Sequence, residues 1–212
     1  MFKWQSLYPL LLLVLGIITY FITLRYKIRT SSRSKEEILE EFFEKELEAS
    51  QVVRGTLPQE LFIPINTEAI PASPDVELES LYQKVLTIGK LPMVNLKEKS
   101  NRDLKKLYGI NHLDTLITYE KNYDTFIDIL IKYGTILNEK NYTEAAQLTL
   151  EYALDYGCDR SRPYFILAEL YSKQKNTTRL TRLKVLAQTK LLTSPYLSKV
   201  LHHIDELQET CK

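Results

Sequence analysis

Few residues in this chain are equipped for chemistry. Its 212 residues include three His, two Cys and six Gly. His202 and His203 are adjacent, and neighbours on a helix point about 100° apart, so they do not face one ligand together. His202 with Asp205 or Glu206 has the i, i+3 or i, i+4 spacing of a metal pair. A two-ligand match in a helix is usually coincidence, and no metal is expected. Cys158 lies beside Asp159 and Arg160 with no His nearby in sequence. A catalytic thiol needs a base or a positive field, so Cys158 reads as a small packed residue. There is no Gly-rich phosphate loop, no G-x-S-x-G and no H-E-x-x-H. No catalytic residue and no cofactor are expected, and the chain is not expected to be an enzyme.

The elements that could position a site are more legible. Lys and Arg number 28 against 27 Asp and Glu, for a net charge of +1. That balance excludes a uniformly basic nucleic-acid binder, and two Cys cannot build a disulfide framework. Few Gly and many Leu, Lys, Glu and Tyr lean towards an all-α fold. Leu7 to Leu24, LYPLLLLVLGIITYFITL, carries no charge. A helix of about 20 residues crosses a bilayer, and Trp4, Tyr8, Tyr20 and Tyr26 sit where aromatic rings favour the headgroup layer. No small-residue cleavage site follows, so residues 7–24 read as a retained single-pass transmembrane helix. Lys3 alone precedes it, whereas Arg25, Lys27, Arg29, Arg33 and Lys35 follow. Basic flanks stay cytoplasmic. Residues 1–6 are therefore expected outside, 25–35 as a basic juxtamembrane segment, and the C-terminal part in the cytoplasm. The alternative is an extracytoplasmic domain, for which N-x-[ST] matches occur at Asn141 and Asn176.

Residues 36–50, EEILEEFFEKELEAS, hold seven Glu and one Lys. Ile38, Leu39, Phe42, Phe43 and Leu47 recur at helical spacing, which makes an acidic amphipathic helix with Ser34 as its cap. Residues 51–74, with Gly55 and four Pro, read as an extended connector. From Asp75 the pattern is helical. Val76 to Gly89 forms one helix, Asn101 to Tyr108 a short one ended by Gly109, and His112 to Tyr119 another.

Shifting the chain by 34 residues superimposes like on like. Leu130 meets Tyr164, Tyr133 meets Leu167, Gly134 meets Ala168, Leu137 meets Tyr171, Ala146 meets Leu180 and Ala153 meets Ala187. This bulky–Leu–small–bulky spacing resembles the tetratricopeptide repeat (TPR), whose pattern is W-x2-L-G-x2-Y, then A-x3-F and P. Cys158 stands where the family has Pro, Lys184 replaces its Phe, and Leu180 replaces a small residue. The resemblance implies one repeat over 127–160, a weaker one over 161–194, a helical cap or cryptic repeat over 75–126, and a capping helix over 195–212. It also implies a groove lined by the first helix of each pair, binding a protein or peptide partner. The residues it assigns there are Asp128, Ile131, Lys132, Thr135, Asn138 and Glu139 from one repeat. From the next come Arg162, Phe165, Glu169 and Lys173, with Ile166 beside them. Lys199 and His203 of the capping helix could contribute. The family's clamp for a chaperone's C-terminal carboxylate is missing, because Ile131, Thr135, Phe165 and Glu169 occupy its positions.

Between residues 170 and 200 there are seven basic residues and no acid. The run could meet the acidic helix at 36–50, anionic lipid, or an acidic partner. Nucleic acid is disfavoured, because only Tyr171 and Tyr196 flank the charges. A membrane-tethered adaptor is the leading expectation. The alternative is a structural subunit that assembles through its transmembrane helix. The sequence does not set the oligomeric state.

Overall fold

The computed structural model describes the backbone of residues 8–31, 34–97 and 99–211, and the side chains of 12–26, 34–97 and 99–211. Among the described residues the chain is all-helical, with nine α-helices and no strand. They are α1 (Tyr8–Ser31), α2 (Lys35–Ser50), α3 (Val76–Gly89), α4 (Asn101–Tyr108) and α5 (Leu113–Glu139), followed by α6 (Thr143–Asp155), α7 (Ser161–Lys173), α8 (Thr177–Lys190) and α9 (Leu197–Thr210). The chain divides into two compact units, Met1–Val53 with Ser100–Ile110, and Arg54–Lys99 with Asn111–Lys212.

The first unit holds α1, α2 and α4. Every described side chain of α1, residues 12–26, is exposed. Among the described residues no helix is long and apolar enough to cross a membrane. The span expected over 7–24 begins before them: residues 1–6 and the side chains of 7–11 lie outside the described residues, as do those of 27–33 in the basic segment. Helix α2 starts with a capping box, in which the Ser34 hydroxyl accepts from Glu37 N–H and the Glu37 carboxylate accepts from Ser34 N–H. Each bond satisfies a donor that the first turn leaves orphaned. Helix α4 repeats the device with Ser100 and Asp103, and ends at Gly109, whose φ of 89° glycine adopts without strain. The C-terminal end of α2 packs on α4, burying Ala49 and Leu104, and Glu46 pairs with Lys105.

In the second unit α5 is the central element. The sequence suggested a helix ending at Tyr119. Instead one 27-residue helix runs on to Glu139, because Tyr123, Phe126, Ile127 and Leu130 continue the apolar face and no Pro interrupts it. Asp75 caps α3, accepting from Glu77 N–H at 3.0 Å. The connector is tied down. The Tyr133 hydroxyl donates to the Pro71 carbonyl (3.0 Å), Tyr156 to Pro64 (3.0 Å) and Tyr152 to Asn66 (2.6 Å). Ile70 is fully buried.

From α5 onward the geometry is periodic. Asn141 (φ 65°) and Lys175 (φ 52°), 34 positions apart, are the only non-glycine residues with positive φ among those described. Tyr142 N–H bonds the Leu137 carbonyl at 2.9 Å, and Asn176 N–H bonds Tyr171 at 2.9 Å. Each helix packs on the next, and α7 also packs on α5 and on α9. A methyl group at Gly134 would lie 2.7 Å from the Leu150 side chain, so the absent side chain sets how closely α5 and α6 approach.

Candidate functional site

The outward faces of α5 and α7 meet in a cleft of about 480 Å³. Helix α5 contributes Thr135, Asn138 and Glu139, from its last two turns. Helix α7 contributes Ser161, Arg162, Phe165, Ile166 and Glu169, and Tyr196 closes one side from the turn before α9. These residues converge because the two helices pack side by side, each keeping its apolar stripe inward: Leu130, Tyr133 and Leu137 on α5, and Tyr164, Leu167 and Tyr171 on α7.

Of the ten residues assigned from sequence, the cleft brings together Thr135, Asn138, Glu139, Arg162, Phe165 and Glu169. Ile131 is buried rather than presented to a ligand. Asp128 is off the cleft and accepts from Arg160 Nε at 3.2 Å. Lys132 and Lys173 are exposed and do not line it. Sequence reasoning missed Ser161 and Tyr196. Ser161 is a single step before Arg162 on the same helix and could have been found from the helix start. Tyr196 lies outside the repeat period, and only tertiary packing brings it in.

Arg162 is the centre of the cleft. Its Nε donates to the Thr135 hydroxyl at 3.4 Å, and a terminal nitrogen reaches Glu139 at 3.5 Å. The Arg162 and Glu139 side chains are 63% and 61% exposed. A pair so exposed contributes about 0–1 kcal/mol, so a ligand carboxylate can displace Glu139 at small cost. At the far end Phe165 packs on His203, ring centres 5.3 Å apart. The His203 Nε2 is buried without a hydrogen bond among the described residues, 3.8 Å from the Glu169 carboxylate. Lys199 lies over the Tyr196 ring at 5.7 Å.

Away from the cleft the polar groups are largely satisfied. The Glu151 carboxylate accepts from Tyr171 (2.7 Å), Arg179 (2.6 Å) and Gln147 (2.8 Å), tying α6 to α7 and α8. Lys184 pairs with Asp205. Burial pushes the Cys158 thiol up to about 11, so it stays protonated at neutral pH. Among the described residues no group of three or more His, Cys, Asp or Glu is arranged to hold a metal. Set against known proteins, the chain matches no family model, no curated protein and no solved structure.

Proposed function

We propose that this chain is a membrane-tethered adaptor whose α5–α7 groove, built on a TPR-like stack, docks a protein or peptide partner. The observation that carries this reading is the cleft itself. The last two turns of α5 and the N-terminal part of α7 line it with groups suited to a polypeptide. Arg162 offers a guanidinium to a carboxylate, Asn138 offers an amide to a peptide backbone, and Phe165 with Tyr196 offers apolar contact. The role is binding rather than catalysis, and nothing in the cleft suggests nucleic acid.

The tether is residues 7–24. Supporting it are the uncharged run in the sequence and the exposure of Leu12, Phe21 and Ile22, at 70%, 62% and 62%. Burying such side chains is worth roughly 1.5–3 kcal/mol each, which a bilayer supplies. The basic flank puts the helical domain in the cytoplasm; protease digestion of sealed vesicles tests this against the extracytoplasmic alternative. Tethering would concentrate whatever the groove holds.

The groove is tested with the full chain in detergent, carrying a photo-crosslinker at Ser161. A partner captured by this protein should be lost in Arg162→Glu with Phe165→Ala, and retained in Thr181→Ala, which lies off the cleft. Equal capture by all three would remove the groove from the account. A second reading, a structural subunit assembling through α1, is favoured by the same exposed apolar side chains. Exchanging Leu7–Leu24 for an unrelated apolar helix would then be the damaging change.

A further inference from the structure

Two helices carry charges mostly of one sign, some of which form no ion pair among the described residues. Helix α2 has seven Glu against two Lys, and no base in its last turn. Glu40, Glu44 and Glu48 follow one another at i, i+4, and no ion pair involves them among the described residues. Like charges at that spacing destabilise a helix, and acids near its C-terminus oppose the dipole. Beside this acidic row runs an apolar stripe that the unit leaves uncovered, with Phe42, Phe43 and Leu47 51%, 59% and 61% exposed. Helix α8 is the converse. It holds Arg179, Arg182, Lys184 and Lys190, no acid, and a base in the first turn, again against the dipole. Arg179 and Lys184 have partners within the unit. Arg182 and Lys190 form no ion pair among the described residues and flank an exposed Val185.

We propose that α2 of one copy docks antiparallel on the outer face of α8 of a second copy. In that orientation Glu44 and Glu48 meet Arg179 and Arg182, and Glu40 meets Lys190. Phe43, which borders the Glu row on α2, covers Val185, and the helix dipoles oppose. A second α2 is excluded as the occupant, because its Glu rows would face each other. The contact joins two different surfaces, so it is head-to-tail and extends to further copies as concentration rises.

The experiment measures mass against concentration for the full chain in detergent, by light scattering. The wild type should self-associate, less so at high salt. Glu40→Lys with Glu44→Lys and Glu48→Lys should weaken association roughly tenfold or more, as should Arg182→Glu with Lys190→Glu. Mixed one to one, the two variants should associate in alternation although neither does alone, because the acidic α2 of one fits the basic α8 of the other and the reversed α2 fits the reversed α8. A chain carrying both sets of reversals should associate again, which guards against a variant that merely misfolds. Three results overturn the proposal: a wild type that is monomeric throughout, as closure within one chain would give; association unchanged by either set, as assembly through α1 would give; or a mixture that stays monomeric.

Discussion

At position 134 a single methyl group decides how close two helices can lie. Gly134→Ala gains about 1 kcal/mol of helix propensity. The added carbon would meet Leu150 Cδ2 at 2.7 Å and Cγ at 2.8 Å. Because Cγ is not the swinging tip of the side chain, α5 and α6 must part, and overpacking costs typically 1–3 kcal/mol. The substitution should lower the denaturation midpoint, whereas propensity alone would raise it. Lys140 presents a different balance. It holds Asp75 at 2.6 Å and Glu77 at 2.5 Å. The hydrogen bond from Lys140, followed by that from Glu77 N–H, lowers the Asp75 carboxyl below its ordinary 3.8. The hydrogen bonds to Asp75 and Glu77 raise Lys140 above 10.5. The aspartate contribution is present above pH 3.8 and lost as pH falls through the lower folded value. The lysine contribution is complete below pH 10.5 and lost as pH climbs past it. Lys140→Met should therefore flatten both limbs of the stability–pH curve, read by denaturant midpoints across that range.

Among the elements, the connector shows how tyrosines replace regular structure. Residues 63–71 have no helix or sheet ladder of their own beyond one short turn, so their carbonyls must find other donors. Tyr133, Tyr152 and Tyr156 supply them. Burial pushes the Tyr133 hydroxyl up to about 12, so it remains a donor across the neutral range. Tyr152→Phe with Tyr156→Phe should cost about 1 kcal/mol per lost bond and make this stretch the first site of protease cleavage. Much at this scale was legible in the sequence. Ser34 and Asp75 announced helix starts and Gly109 a stop, because caps are local chemistry. The run of α5 past Tyr119 was also written there, in the spacing of Tyr123, Phe126 and Leu130, but the polar residues Glu120 to Asn122 masked it. Thr135, Asn138, Glu139, Arg162, Phe165 and Glu169 were assigned to one surface from the repeat resemblance, and the cleft holds all six. The pairing of Arg162 with Glu139, the burial of Ile131 and the approach of Tyr196 were not legible, since each depends on how separate helices pack.

For the molecule as a whole, the second unit behaves as a stack in which each helix from α5 to α9 leans on its neighbours. In such an arrangement stability accumulates along the row and the ends open first. Helix α9 buries Val200 and Ile204 against α7 and α8. Ending the chain at residue 194 should strip Thr181 and Lys184 of their partners Gln208 and Asp205 and cut hydrogen-exchange protection most in α8, less in α7 and least in α5. Uniform loss across all of them would mean a single cooperative block.

The matched turns at Asn141 and Lys175 make the chain modular. Each leaves its helix with the same left-handed step and the same N–H to carbonyl closure. A stretch cut from one turn to the other therefore begins and ends on interchangeable joints. Such a cassette could be duplicated or removed without altering the bonding at either junction. The helical row of the second unit is thus adjustable in discrete increments, one helix pair at a time.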